Sequence, residues 1–119
     1  MEIVCSEYFE SDTGTDFIRE IYDNGYIVEK PFPHREIKLS YNSDSGIITA
    51  KVYRRDLGNV QDEEYNNIVI FSCGNDTIEV KALSGIATIE FDAQVSGTYL
   101  IVTKNNARKF VNGSVIINV

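Results

Sequence analysis

The chain has 119 residues, a net charge of −7 and an ordinary apolar fraction of 43%. This length suits one domain with a single core, and the composition is typical of a globular protein. Nucleic acids and anionic membranes are bound through basic surfaces, so the acidic balance argues against both as partners. No apolar run approaches the roughly 18 residues of a membrane span. The acidic start of the chain lacks the pattern of a secretory signal, so we expect synthesis in a cytoplasm.

The acidic charge lies mostly in the first 34 residues, which carry eight acids and two bases, a net of −6. Residues 35–119 carry ten acids and nine bases, a net of −1. The two prolines of the chain, Pro31 and Pro33, mark this change and force extended backbone there. We therefore predict an N-terminal segment, 1–34, and a C-terminal domain, 35–119. A strand connection within one domain is the alternative.

Within the N-terminal segment, Ile3 and Cys5 alternate in a first strand, and residues 18–29 have the pattern of a β-hairpin. Its tip is an Asn-Gly pair, which favours the tight turns of hairpins. Aromatic side chains are frequent in this segment, and aromatic residues are enriched at the cores of interfaces. The predicted interaction surface consists of Tyr8, Phe9, Phe17, Tyr22 and Tyr26. The other interpretation, which we prefer, is that these side chains pack on the C-terminal domain and complete its core.

From residue 36 onward, apolar and polar side chains alternate along successive short segments, as in half-buried antiparallel strands. The predicted strands are 36–41, 48–53, 68–73, 77–82, 87–91, 99–103 and 115–119. The run 68–73 is apolar almost throughout, which predicts burial on both faces. Turns separate the strands roughly every 8–12 residues. This spacing predicts an all-β fold: an immunoglobulin-like antiparallel β-sandwich of about seven strands, preceded by the N-terminal β-hairpin.

The sixth predicted strand is preceded by Gly97 and begins with Tyr99. Immunoglobulin-like sandwiches have a tyrosine at this place, and its hydroxyl bonds back to the backbone and fixes a corner. We assign Gly97 and Tyr99 to such a structural corner. The core tryptophan and the paired cysteines of antibody domains are absent. Phe71 is expected in the place of the tryptophan, and Val52 and Ile101 in the places of the cysteines.

Several short motifs of the predicted sandwich occur in a characteristic order. They are Ile48-Thr49-Ala50-Lys51-Val52-Tyr53, Gly58-Asn59-Val60, Val69-Ile70-Phe71-Ser72, Gly85-Ile86-Ala87-Thr88-Ile89, Gly97-Thr98-Tyr99 and Val115-Ile116-Ile117-Asn118-Val119. This series resembles bacterial immunoglobulin-like repeats of the invasin and intimin type and covers roughly residues 36–119. The resemblance implies a sandwich that serves as a structural or adhesive module.

The N-terminal segment carries the pattern Y-x-N-G-Y-x-x-E-x-P-x-P over residues 22–33. This pattern is similar to the start of some small phage tail-region proteins. Phages attach immunoglobulin-like domains to capsids and tails, and their virion proteins fold in the host cytoplasm. The two resemblances imply a non-enzymatic structural and interaction module of a phage or prophage virion. Its partners would be proteins, either virion subunits or further copies of the chain.

The residues indicate no catalytic site, no cofactor and no metal centre. His34 is the single histidine, and beside two prolines it is interpreted as a solvated residue of the joint. No G-x-S-x-G, P-loop or dinucleotide-binding pattern occurs. The acidic runs 11–16 and 62–64 lack the spacing of a calcium loop and are interpreted as solvated loops. In a cytoplasm, Cys5 and Cys73 are expected to remain free thiols.

Two other functions stay open. A carbohydrate-binding or cell-adhesion module would present exposed aromatic side chains on one sheet face, with Tyr41 and Tyr53 as candidates and a glycan as partner. A small enzyme on a sandwich scaffold would need a concave site where acids converge. The structural module is the preferred interpretation because it accounts for both resemblances.

Overall fold

Twelve β-strands and one short 3₁₀ helix make up the chain in a computed structural model that describes all 119 residues. The strands are β1 (Ile3–Glu10), β2 (Asp16–Tyr22), β3 (Ile27–Pro31), β4 (Arg35–Asn42), β5 (Ile47–Arg54), β6 (Val60–Gln61), β7 (Ile68–Cys73), β8 (Asp76–Lys81), β9 (Ile86–Glu90), β10 (Thr98–Thr103), β11 (Phe110–Val111) and β12 (Ser114–Asn118). The 3₁₀ helix, Arg55–Leu57, directly follows β5. The prediction of an all-β chain is confirmed. The structure contains no helix that is long and apolar enough to cross a membrane.

The first three strands form a sheet of their own, here called the N-terminal sheet, in the order β1-β2-β3 with antiparallel neighbours. The predicted hairpin is the β2–β3 pair, and Asn24 and Gly25 lie in its turn. Gly25 has a φ of 84°, which favours glycine. The Asn24 side chain accepts a hydrogen bond from the backbone N–H of Tyr26 at 3.0 Å. The strand predicted around Ile3 and Cys5 is β1, which makes the hairpin a three-stranded meander.

The remaining nine strands form two sheets. One has the order β12-β10-β7-β8, with all neighbours antiparallel. In the other, β4 and β5 form the centre, β11 lies beside β4, and β6 and β9 both pair with the far edge of β5. Only the β11–β4 pair is parallel. The seven longer strands match the seven predicted ones to within one residue at each end, whereas the two-residue strands β6 and β11 were not predicted.

The two larger sheets enclose one hydrophobic core of ten buried residues contributed by both sheets. These are Ile37, Ile48, Ala50, Val52, Val69, Phe71, Ala82, Ala87, Ile101 and Ile117. The alternation along β5 buries Ile48, Ala50 and Val52, as predicted. Val52 and Ile101, the expected replacements of a disulfide, both lie in this core. Phe71, the expected replacement of the tryptophan, is the largest fully buried side chain.

Two strands of the larger sheets differ from the predicted burial. Ile78 on β8 was expected to share a buried face with Val80 and Ala82, but it is 53% exposed. It lies on an edge strand beside an open cleft between the sheets, so the opposite sheet does not cover it. On β7, the prediction of burial on both faces is wrong for residues such as Ile70, which is only half-buried. No further layer covers the outer face of that sheet.

The N-terminal sheet extends away from the two larger sheets. The molecule measures 59 × 26 × 25 Å, and its radius of gyration is 17.3 Å. A compact chain of this length would have a radius of gyration of about 13.5 Å. None of the first 34 residues belongs to the hydrophobic core or packs against it. The preferred interpretation, in which the N-terminal aromatic residues complete that core, is therefore wrong, and the sheet is a projection.

Candidate interaction sheet and its joint

The N-terminal sheet has no second layer on either face. Packed sheets normally bury one face against another element, because a sheet that stands alone is marginally stable. In this sheet Ile18 on the central strand β2 is buried. It is shielded by neighbours such as Tyr8 and Lys30, which lie directly across from it on β1 and β3. Apolar side chains elsewhere on the sheet remain exposed, with Val4 at 63% and Ile27 at 54%.

The five predicted interaction residues lie on this sheet in three separate groups. Phe9 and Phe17 stack on one face, with their ring centroids 5.5 Å apart. Tyr8 lies on the opposite face near the joint. Tyr22 and Tyr26 lie together at the distal turn, with centroids 6.2 Å apart. The structure therefore distributes these side chains along the sheet and over both of its faces and does not gather them into one patch.

Cross-strand ion pairs connect the three strands. The Arg19 guanidinium on β2 lies 4.8 Å from the centre of the Phe9 ring. It is 3.2 Å from a carboxylate oxygen of Glu7 on β1 and 3.4 Å from one of Glu29 on β3. These pairs are exposed to solvent and each stabilises the sheet by less than about 1 kcal/mol. Arg19, the only arginine of the sheet, is nevertheless paired with two carboxylates.

A third cross-strand pair joins Glu20 on β2 to Lys30 on β3, at 2.8 Å. The hydrogen bond and the charge of Glu20 raise the pKa of Lys30. Both bases of the sheet are thus engaged. Glu2, Asp12 and Asp23 are exposed and form no salt bridge. The uncompensated charge of the projecting sheet is therefore negative.

The sheet is attached to the rest of the chain at a joint built around Asp16, the first residue of β2. Its side chain is 3% exposed, and one carboxylate oxygen accepts a hydrogen bond from the backbone N–H of His34 at 3.0 Å. The other lies 3.4 Å from the Lys109 ammonium. The backbone N–H of Asp16 donates to the carbonyl of Arg108 at 3.2 Å. One buried aspartate thus connects the sheet to the segment before β4 and to the loop before β11.

His34 lies inside this joint, so its interpretation as a solvated residue is wrong. Its side chain is 12% exposed. The ring Nε2 is 3.1 Å from the carbonyl oxygen of Phe17, and Nδ1 is 3.5 Å from Asp16 and 4.0 Å from Asp56. The ring also lies edge-on to Tyr8, with centroids 5.8 Å apart. These side chains form contacts within the joint and do not have the geometry of a metal site.

The 3₁₀ helix completes the joint from the side of the larger sheets. Arg54 donates a hydrogen bond from Nε to the Asp56 carboxylate at 2.7 Å. Burial of Asp56 raises its pKa, but the hydrogen bond and the charge of Arg54 outweigh it, so the pKa is lowered below its usual value. Arg55 donates to the carbonyl of Pro33 at 2.8 Å and lies 4.0 Å from the centre of the Phe32 ring. The proline segment is thus held by Arg55 and is not a free linker.

Lys109, at the end of the loop before β11, connects the joint to β1. It pairs with Glu10 at 2.9 Å in addition to Asp16. Burial lowers the pKa of Lys109, but the hydrogen bond to Glu10 and the charge of Asp16 outweigh it, so that pKa is raised. The basic half of this joint was not predicted from the sequence. Its signal was the two dibasic pairs, Arg54-Arg55 and Arg108-Lys109, in a chain whose first 34 residues carry a net charge of −6.

The predicted corner residues lie at the start of β10. The Tyr99 hydroxyl donates a hydrogen bond to the backbone carbonyl of Val95, four residues upstream, at 2.5 Å. Gly97 exchanges two backbone hydrogen bonds with Val119, each at 2.9 Å. The Tyr99 ring packs edge-on against Phe91, with centroids 5.2 Å apart. The corner therefore joins the loop before β10 to the end of the chain.

The candidate glycan-binding residues are half-buried rather than displayed. The Tyr41 ring lies edge-on to Phe91, at a centroid distance of 6.3 Å. The Lys38 ammonium covers the Tyr53 ring at 4.7 Å from its centre. Each tyrosine ring is therefore in contact with a neighbouring side chain and is only partly accessible to a sugar ring.

The two acidic runs interpreted as solvated loops each contain one buried carboxylate. Asp16 lies in the joint, as described above. Asp62 is 6% exposed and accepts a hydrogen bond from the Arg35 guanidinium at 2.9 Å. Its other oxygen accepts the backbone N–H of Glu64 at 3.3 Å. Glu63 and Glu64 are exposed as expected. Cys5 is exposed, Cys73 is half-buried, and both are free thiols.

Comparison of the chain with protein-family models, with curated proteins and with solved structures finds no significant match.

Proposed function

We propose that the chain is a non-enzymatic structural and interaction module that docks on a protein partner through its N-terminal sheet. The observation that carries this proposal is the projection itself. A three-stranded sheet with both faces in solvent and exposed apolar side chains has little stability to gain from its own contacts. Burial against a partner would remove that apolar surface from water. The joint around Asp16 and His34 fixes the direction in which the sheet is presented.

An immunoglobulin-like arrangement of residues 35–119 forms part of the proposal. Two features support it. The longer strands divide into β4, β5 and β9 in one sheet and β12, β10, β7 and β8 in the other, facing each other across one core. The tyrosine hydroxyl bonds back to the backbone at the start of the sixth long strand. In this arrangement the sandwich is a rigid carrier and the projecting sheet is the part that docks.

The proposed setting is a phage or prophage virion, in its tail or capsid. Two resemblances support it: the immunoglobulin-like motifs of residues 36–119 and the tail-protein pattern of residues 22–33. A virion protein acts by fixed contacts with neighbouring subunits, which suits a chain that holds its projecting sheet through a buried carboxylate, Asp16. The proposed partners are therefore virion subunits.

The test is whether the chain is part of particles. Source cells would be induced with a DNA-damaging agent, and released particles would be separated on a density gradient. We expect the chain, quantified by mass spectrometry, to follow the capsid protein through the gradient at a constant ratio. Genes for portal, tail or capsid proteins beside its own gene would agree with this result. A chain that stays in the soluble fraction while intact particles lack it would contradict the virion assignment.

A further inference from the structure

The outer edge of β1 carries backbone hydrogen-bonding groups that no other strand of the chain pairs with. β1 pairs with β2 alone, so its other edge has no neighbouring strand. In an antiparallel pair, the backbone groups of alternate residues point to opposite sides of the strand. The Ser11 N–H donates to the carbonyl of Thr15 at 2.9 Å, which orients the odd-numbered residues of this strand toward β2. The N–H and C=O groups of Ser6, Tyr8 and Glu10 therefore point outward.

The two edges of the sheet differ in how they are protected. Natural sheets block edge pairing with lysine, proline or bulges. The other edge strand, β3, ends in Lys30 and Pro31, and it has five residues. β1 has eight residues without lysine or proline. Its one irregularity lies between Ile3 and Cys5, which leaves the stretch from Ser6 to Glu10 regular and open.

The charge of the sheet decides which kind of strand suits this edge. Glu7 and Glu10 lie on β1 itself, and the exposed acids Glu2, Asp12 and Asp23 have no basic partner. A second copy of the chain would bring the same acids against them, and like charges oppose such docking. An extended segment rich in lysine or arginine would meet complementary charge.

We propose that β1 accepts an added strand from a basic, extended segment of a protein partner, with Ser6, Tyr8 and Glu10 supplying the backbone hydrogen bonds. This inference rests on the proposed docking role of the N-terminal sheet and names its mode. In strand addition, main-chain hydrogen bonds give affinity and the alternating side chains give selectivity. The partner's basic side chains would meet the negative charge that Glu2, Asp12 and Asp23 leave uncompensated on the sheet.

The probe is a short synthetic peptide of alternating lysine and valine, with a glutamate–valine peptide of the same length as its control. Amide hydrogen exchange of the free full-length chain, read by NMR, should show fast exchange at Ser6, Tyr8 and Glu10 and slow exchange at Glu7 and Phe9. Addition of the lysine peptide should protect the three fast amides. The glutamate peptide should protect none.

The matched variants are Ser6→Pro and Ser6→Ala. Proline removes the outward N–H and leaves the bonds to β2 in place, and solvent-facing edge positions tolerate it. We expect the lysine peptide to bind Ser6→Pro at least about tenfold more weakly than the wild type, and Ser6→Ala like the wild type. The exchange pattern of Ser6→Pro will show whether its N-terminal sheet still forms. If the sheet does not form, the test rests on whether the lysine peptide protects the Ser6, Tyr8 and Glu10 amides of the wild type.

Three results would overturn the proposal. One is that the lysine peptide binds Ser6→Pro as tightly as it binds the wild type, or that it protects no amide of β1. In either case the attraction is electrostatic alone. Another is no binding of that peptide. The third is a free chain that forms dimers with β1 amides protected, because the occupant is then a second copy. Each is independent of the particle test, in which the chain either follows the capsid protein or does not.

Discussion

Replacement of Asp16 by alanine tests whether the N-terminal sheet is held to the larger sheets by one buried carboxylate. The side chain is 3% exposed, and its strongest contact is the hydrogen bond from the His34 backbone N–H at 3.0 Å. Alanine removes this acceptor and leaves the donor in a half-buried position. The Lys109 ammonium keeps Glu10 as a partner at 2.9 Å. Loss of its contact with Asp16 should therefore add little to the fall in stability.

The expected cost follows from these contacts. A donor left without its charged acceptor costs about 1–3 kcal/mol, and the remaining Lys109–Glu10 pair limits any further loss. Asparagine retains an oxygen that can accept the same N–H, so Asp16→Asn should cost about half as much. Asp12→Ala, which removes an exposed acid from the same segment, should change stability by less than about 0.5 kcal/mol.

The assay is native-state hydrogen exchange, because it resolves where the stability is lost. The N-terminal sheet has no other layer to hold it, so its opening free energy at residues such as Ile18 should fall by about 1–3 kcal/mol in Asp16→Ala. Amides of Phe71 and Ile101, in the core strands, should keep their protection. An equal loss at all three sites would show that the sheet and the core unfold as one unit. An effect of Asp12→Ala as large as that of Asp16→Ala would refute the role of the carboxylate.

Three further changes test separate features. Tyr99→Phe should lower stability by about 0.5–1.5 kcal/mol in urea unfolding, since the carbonyl it leaves is exposed and water can replace the hydroxyl; unchanged stability would remove the corner assignment. Gly85 and Gly58 both have a positive φ, 78° and 83°. Alanine at either position therefore introduces a similar backbone strain of about 1–2 kcal/mol. Of the two positions, only Gly85 would place the new Cβ 2.2 Å from a backbone oxygen. Gly85→Ala should therefore lower stability in thermal unfolding by about 1–3 kcal/mol more than Gly58→Ala. Equal losses in the two variants would contradict this contact. Folding lowers the pKa of Asp56 from 3.8, so the ionised carboxylate stabilises the folded chain. This stabilisation is fully present above the pKa of Asp56 in the unfolded chain and is lost as the pH falls through its lower pKa in the folded chain. In Asp56→Asn the free energy of unfolding should therefore fall less steeply as the pH is lowered from about 5 to about 2. An unchanged pH dependence would show that other carboxylates cause the loss of stability in acid.

The strands were predictable because their cause is local in the chain. A half-buried strand needs apolar side chains at every second position, and β5 has them at Ile48, Ala50 and Val52. Turn residues then limit each strand, which explains why boundaries agree to within one residue. Burial at sheet edges was less predictable. Ile78 continues the same alternation, yet it lies on an edge strand, and the sequence does not state which strand will be at the edge.

The joint was not predictable for a different reason: its partners come from parts of the chain that are far apart in sequence. Asp16, His34, Asp56 and Lys109 meet only after β4, β5 and β11 have been placed beside one another. An isolated acid in a loop is most often solvated, and so the burial of Asp16 had no signal of its own. What the sequence contained was an imbalance of charge between two segments, without the positions at which those charges pair.

The placement of the buried charges limits where function can lie. A buried ion pair often adds little net stability compared with apolar side chains of the same size, whereas loss of one partner is costly. In this chain such pairs occur in the joint, where Asp16 pairs with Lys109 and Asp56 with Arg54, and also between Arg35 and Asp62. The Asp16–Lys109 pair crosses between the projecting sheet and the larger sheets and therefore selects one orientation of that sheet more than it adds stability. Substitutions in the joint should change how β1 is presented to a partner while its own edge keeps the same backbone groups, so the lysine peptide should still protect Ser6 in Asp16→Ala.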